Sequence, residues 1–284
     1  MTVDAAIDRY AVAGNPVAHS QSPFIHAEYA AQTGQALRYE RLLCPLDAFA
    51  PTLRAFADGG GRGCNVTVPF KFEAFALAQR LSPRARLAGA VNTLRFDEDA
   101  AGGWFGDNTD GAGLVRDIEA NAGRPLAGQR ILLLGAGGAS AGVLGSLIKA
   151  RPAEICLANR SLDKAVTLIA THQAWAAEHG VTVSARGLSD CGQGYAILIN
   201  GTAASLAGAA VPVGPAVLGP DALALDMMYG PAAEPFLNWA RSHGAEARDG
   251  LGMLVEQAAE AFACWRGVKP ATGPVLAALR AKLA

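Results

Sequence analysis

Gly135-Ala136-Gly137-Gly138-Ala139-Ser140 follows directly on the apolar run Arg130–Leu134, and Val143, Leu144, Leu147 and Ile148 come after it at helical spacing. A strand, then G-x-G-x-x, then a helix is the arrangement that holds a dinucleotide pyrophosphate. Gly135 permits the tight turn, Gly137 lets backbone approach the phosphates, and amides of Gly138 and Ala139 at the helix start face the anion, with Ala136 completing the turn. The third position of the fingerprint is Ser140 rather than glycine or alanine, still small enough for close helix–strand packing.

The choice of dinucleotide is read at the end of the next strand. An acid there would hold the ribose hydroxyls of NAD. This chain has Asn159-Arg160-Ser161 instead, with Lys164 one helical turn later. A guanidinium at that place pairs with a 2′-phosphate and stacks on adenine, which predicts NADP.

A dinucleotide enzyme that oxidises an alcohol must also move the hydroxyl proton. A catalytic zinc needs a Cys/His/carboxylate cluster, and neither the five histidines nor the five cysteines show such spacing. None of the five tyrosines has a lysine four residues on, so a Tyr-x-x-x-Lys pair is missing too. A lysine–aspartate pair is a further solution. Composition singles out no such lysine, since most lysines are solvated surface groups.

The motifs do single one out. Asn15-Pro16-Val17-Ala18-His19-Ser20-Gln21-Ser22-Pro23, Asn65-Val66-Thr67-Val68-Pro69-Phe70-Lys71, Ala88-Gly89-Ala90-Val91-Asn92-Thr93, Gly106-Asp107-Asn108-Thr109-Asp110-Gly111 and Asp249-Gly250-Leu251-Gly252-Met253-Leu254 with Gln257 occur in this order. Together they resemble the shikimate dehydrogenase family from about residue 10 to the C-terminus. The resemblance implies reversible oxidation of shikimate to 3-dehydroshikimate with NADP, and Lys71 and Asp110 as the catalytic pair. A helix start disfavours a cation and a neighbouring carboxylate favours one, so the two can share a proton and pass it to or from the substrate oxygen. The resemblance further implies Ser20 and Ser22 on the substrate carboxylate, Thr67 and Asn92 on ring hydroxyls, and Asp110, Tyr229 and Gln257 as further substrate ligands. Met227 and Gly250 are expected beside the nicotinamide. Three positions depart from the family's usual pattern: Ser205 replaces a glycine, Glu234 a threonine, and Phe72 an acid after the lysine. A dehydrogenase of quinate or an aminated shikimate analogue, and an NADP-binding sensor without turnover, are the alternatives.

The elements that must position these residues alternate between strand-like and helix-like along the whole chain, the pattern of an α/β protein with parallel sheets. Strands are expected at Tyr10–Ala13, Arg38–Leu43 and Cys64–Val68, with helices at Ser22–Thr33 and Leu46–Asp58 between them. A second series runs from a helix at Leu114–Ala122 through strands at Arg130–Leu134, Ile155–Ala158, Val181–Ala185, Ala196–Ile199, Ala222–Asp226 and Ala245–Arg248. Helices at Leu251–Trp265 and Pro274–Leu283 end the chain. The expected organisation is a substrate-binding α/β domain, 1–110 with 249–284, and a Rossmann-like NADP-binding domain, 111–248, the C-terminal helices returning to the first domain.

Composition narrows the partners. A net charge of −1 argues against nucleic acid, which would select a basic excess. Five dispersed cysteines, an odd number, suit reduced thiols in a cytoplasm. Residues 191–220 include no charged residue, but glycines and prolines interrupt them, so a buried strand and a small-residue loop are expected rather than a membrane helix. Acids near the N-terminus predict no secretory leader. The partners expected are a small-molecule substrate and NADP, with no metal and no membrane, in a monomer or homodimer.

Overall fold

Leu132, Leu133 and Leu134 have no exposed surface, nor do Leu198 and Ile199 or Leu223, Ala224 and Leu225. Strands apolar on both faces must be covered on both faces, and that condition favours a parallel sheet with helices on each side. The computed structural model describes residues 7–97, 103–202 and 211–283 and has this architecture. It forms two units, Met1–Gly113 with Leu254–Ala284, and Leu114–Met253. The sequence reading of Ser205 lies outside the described residues.

The first unit contains β1 (Asp8–Gly14), α1 (Ser22–Thr33), β2 (Leu37–Leu43), α2 (Phe49–Asp58), β3 (Gly61–Val66), α3 (Lys71–Leu77), β4 (Arg80–Leu81), α4 (Pro83–Ala88), β5 (Thr93–Arg95), β6 (Phe105–Asp107) and the start of α5 (Asp110–Arg116). Its sheet runs β2-β1-β3-β5-β6-β4. β1 is parallel to β2 and β3, whereas β5 is antiparallel to both β3 and β6. The short pieces β4, α4, β5 and β6 carry no periodic signal long enough to read from sequence. The second unit contains β7 (Arg130–Leu134), α6 (Gly138–Lys149), β8 (Glu154–Asn159), α7 (Leu162–His179), β9 (Thr182–Gly187), β10 (Tyr195–Asn200), β11 (Leu218–Asp226), α8 (Glu234–Ser242) and β12 (Glu246–Arg248). Its sheet order is β12-β11-β10-β7-β8-β9, parallel throughout, which is the doubly wound order of a dinucleotide fold. Two helices follow, α9 (Leu251–Arg266) and α10 (Thr272–Leu283).

Some boundaries differ from the sequence reading for physical reasons. β3 ends at Val66 rather than Val68, because Pro69 has no amide to continue a ladder. The segment is pinned nonetheless: Thr67 N donates to Ala13 O at 2.9 Å and Asn15 N to Val68 O at 3.0 Å. The helix expected from Leu114 begins at Asp110, whose amide is capped by Asn108 Oδ1 at 3.2 Å. It passes at Asp117 into a π-helical turn, Asp117–Asn121. There Asp117 is fully buried and gripped by Arg248 at 2.7 and 3.1 Å. The units also part at 113 and 253, a few residues beyond the expected 110 and 248.

Candidate active site

Parallel strands collect functional loops at their carboxyl ends. In the first unit β1 and β3 deliver two such loops. The β1 loop carries Ser20 and Ser22; Ser20 Oγ donates to Ser22 Oγ at 3.1 Å and accepts from the Ser22 amide at 3.3 Å. Arg41 holds the Ser20 carbonyl at 2.6 Å through Nη2. The β3 loop carries Thr67 and leads into Lys71, the first residue of α3. Gly14 is glycine for contact reasons: a Cβ there would stand 2.3 Å from Thr67 Cγ2.

Lys71 Nζ donates to Asp110 Oδ2 at 2.6 Å, with side chains only 15% and 7% exposed. Asn92 supplies the other side of the carboxylate. Its Oδ1 accepts from the Thr109 amide at 2.9 Å, a group that can only donate, so Nδ2 must face the opposite way. Nδ2 then reaches Asp110 Oδ1 at 2.8 Å, Thr109 Oγ1 at 2.9 Å and Gln257 Oε1 at 3.2 Å. Two amide hydrogens serve three acceptors, so one contact is always exchangeable. Gln257 Nε2 is held by Leu254 O at 2.9 Å. The chain continues inward: Asn92 Oδ1 accepts from Thr93 Oγ1 at 2.9 Å, Thr93 Oγ1 from Asn65 Nδ2 at 3.1 Å, and Asn65 Oδ1 from Tyr39 OH at 2.7 Å.

The structure thus brings Lys71, Asp110, Asn92 and Gln257 into one hydrogen-bonded group and holds Ser20, Ser22 and Thr67 on two neighbouring strand loops. Tyr229 belongs to the second unit, in the turn after β11. Sequence reasoning did not single out Thr109, Asn108 or Asn65 as site residues. Their signal was present, since each lies inside a matched motif, but their hydrogen bonds are a property of the folded turn.

In the second unit Gly135 has φ +96°, a conformation that favours glycine, and a Cβ would meet Gly201 O at 3.0 Å. Gly137 immediately precedes α6, and a Cβ there would have nothing within 4 Å, so its backbone is open to approach. Ala136 N donates to Asn159 Oδ1 at 3.2 Å, which ties the glycine turn to the end of β8. Arg160, Ser161 and Lys164 are exposed beside that turn. Among the described residues, neither Arg160 nor Lys164 has an ion-pair partner. The donor set and the open turn therefore fit a phosphate-bearing dinucleotide. Gly250 packs against Met227, and a Cβ would stand 2.3 Å from the Met227 carbonyl oxygen. Among the described residues, no group of three His, Cys, Asp or Glu could hold a metal ion, and no helix is long and apolar enough to cross a membrane.

Comparison with known proteins agrees along the chain. The family model for the shikimate dehydrogenase substrate binding domain matches residues 12–94, that for shikimate / quinate 5-dehydrogenase matches 118–207, and the shikimate 5′-dehydrogenase C-terminal domain matches 250–280. A curated relative from Methylibium petroleiphilum, named shikimate dehydrogenase (NADP(+)), is 65% identical and aligns over 98% of this chain and 95% of its own. The Ael1 enzyme from Pseudomonas putida superposes with a TM-score of 0.86 at 45% identity, covering 96% of this chain and 98% of that one. Shikimate 5-dehydrogenase from Thermus thermophilus, solved in complex with NADP(H) and shikimate, gives 0.80 at 32% identity over 97% of this chain and 100% of that one. On these matches and this geometry, the chain belongs to the shikimate dehydrogenase family.

Proposed function

We propose that this protein catalyses the reversible NADP-dependent oxidation of shikimate to 3-dehydroshikimate, a step of aromatic amino-acid biosynthesis. The observation that carries the reading is the sheltered Lys71–Asp110 contact of 2.6 Å. In oxidation the hydroxyl proton passes to this pair as the C–O bond becomes a carbonyl; in reduction the pair returns it. Bound NADP supplies the acceptor for the hydride that leaves the same carbon. Asp110 orients Lys71 and offsets its charge, and Asn92 fixes the carboxylate that does so. General acid–base work of this kind contributes about 10²–10⁴-fold to rate.

The remaining roles follow from chemistry. Ser20 and Ser22 offer hydroxyl donors to the substrate carboxylate. Thr67, Asn92 and Gln257 offer groups to the ring hydroxyls, with a hydroxyl taking over one of the shared Asn92 contacts. Tyr229 completes the substrate set. Gly135, Ala136, Gly137, Gly138 and Ala139 present backbone to the pyrophosphate, and Asn159, Arg160, Ser161 and Lys164 surround the 2′-phosphate and its ribose. Met227 and Gly250 border the nicotinamide, Gly250 by lacking a side chain. We assign the protein to the cytoplasm, which suits five free thiols, as a monomer or homodimer.

Steady-state kinetics with shikimate and quinate against NADP and NAD test the reading. The highest kcat/KM is expected for shikimate with NADP. Quinate turned over faster than shikimate would replace the substrate, and NADP binding in a calorimeter without oxidation of either acid would make the protein a sensor.

A further inference from the structure

Asp110 ends the turn at residues 107–110 that leaves β6, and the Asn92 amide that holds it at 2.8 Å also reaches Gln257 on the helix α9 at 3.2 Å. Arg84 on α4 joins those two elements. Its Nε donates to Asp107 Oδ1 at 2.7 Å and its Nη2 to Asp107 Oδ2 at 2.6 Å, a two-pronged grip that fixes the carboxylate plane. Its Nη1 donates to Glu260 Oε2 at 3.3 Å. Glu260 stands three residues beyond Gln257 on α9, so the two share a helix face. Lys269 holds the other oxygen of Glu260.

Asp107 sets the turn from within. Oδ1 accepts from Ser82 Oγ at 2.5 Å and from the Asn108 amide at 2.7 Å. Asn108 in turn holds Ala90 O through Nδ2 at 2.9 Å and the Asp110 amide through Oδ1 at 3.2 Å. The path from Arg84 to Asp110 is therefore two side chains long. Burial alone would push the Asp107 carboxyl up, but Arg84 and Ser82 outweigh it and hold it below the usual carboxylate range.

We propose that Arg84 and Asp107 are positioning residues for proton transfer: together they lock the turn that bears Asp110 to the helix that bears Gln257. The inference rests on the function proposed above. Neither residue touches the Lys71 pair, so their effect is on the angle at which Asp110 meets Lys71. A displacement near 1 Å at such a contact lowers rate by about 100-fold.

The test uses Arg84→Gln, Arg84→Lys and the double variant Arg84→Gln/Asp107→Asn. The single Gln variant leaves a buried carboxylate without its grip and is expected to melt earlier. The double variant removes both charges, so its melting midpoint is expected to move back towards wild type. If the pair positions the turn, kcat for shikimate stays about 10- to 100-fold down in the double variant while KM changes less than threefold. Arg84→Lys, with charge but no fork, is expected to fall between. Recovery of kcat together with the melting midpoint would overturn the inference and leave the pair a structural clamp. Wild-type protein that fails to oxidise shikimate would instead overturn the function on which it rests.

Discussion

Asn92 Nδ2 meets Asp110 Oδ1 at 2.8 Å, and because Asn92 Oδ1 is already committed to the Thr109 amide, the amide cannot flip. The carboxylate is thus addressed from both sides, by an amide hydrogen and by the Lys71 ammonium. Asn92→Asp keeps the shape and removes the hydrogens, placing a second carboxylate against the first. Like charges at this range repel strongly in a buried setting. The expected result is a fall in kcat/KM of about 100-fold, with Asn92→Ala less damaging than Asn92→Asp. Steady-state kinetics on the two variants check the order, and an Asp variant faster than the Ala variant would contradict it.

Lys71→Ala removes the group assigned to the substrate proton. Turnover is expected to fall by about 10²–10⁴-fold. NADP affinity, measured by calorimetry, is expected to stay within threefold, because the proposed cofactor residues lie on other segments. Unchanged kcat would remove Lys71 from the mechanism.

Much of this was legible in the sequence, and the reasons differ by region. The second unit could be read strand by strand, because β7, β8, β10 and β11 are covered on both faces and appear as short apolar runs. The first unit was half legible. β1 to β3 are read from apolar runs and glycine breaks, but Thr93–Arg95 and Phe105–Asp107 are three-residue strands whose pairing is decided by distant partners. The start of α5 was missed for a local reason: Gly111 and Gly113 are poor helix formers, so periodicity only begins at Leu114, whereas the Asn108 cap starts the helix at Asp110. Lys71 and Asp110 stand out in the sequence only through their motifs. Arg84 is not legible in the sequence, since its partners lie 23 and 176 residues away and nothing in its own surroundings marks it.

Arg160 is the residue we propose to carry the cofactor preference. It is exposed, and a 2′-phosphate would give it a charge-assisted pairing worth about 1.5–3 kcal/mol, or roughly 10- to 100-fold in binding. Arg160→Gln is expected to weaken NADP by that factor and to leave NAD within threefold, with Lys164→Gln adding a smaller effect. Equal weakening of both cofactors would assign Arg160 to another part of the nucleotide.

Gly250→Ala tests a contact that cannot relax cheaply. The new methyl would lie 2.3 Å from a backbone oxygen and 2.7 Å from a backbone carbon of Met227, so the chain itself must shift. Overpacking of this kind costs about 1–3 kcal/mol. A lower urea midpoint is expected, together with weaker NADP binding if Met227 borders the nicotinamide. A variant as stable as wild type would show that the β11 turn has room to move.

His26 gives the protein a stability loss in mild acid. The ring is fully buried, stacked on Tyr39 with centroids 4.2 Å apart, and flanked by Trp265 at 5.3 Å. Neither ring nitrogen makes a hydrogen bond of good geometry. Burial therefore pushes its pKa down to about 3, with the nearby Asn65 amide opposing only in part. Below the ordinary histidine value near 6.5 the unfolded chain takes up a proton that the folded chain refuses. More protons on the unfolded state mean that stability falls as pH falls, from about pH 6.5 towards 3. At pH 5 the loss is on the order of 2 kcal/mol. His172, also shifted down by burial, adds in the same direction. His26→Phe keeps a ring against Tyr39 and removes the titration. Its urea midpoint is expected to drop less than that of wild type between pH 7 and pH 5. Equal drops in the two proteins would show that His26 finds a partner for its proton in the folded state.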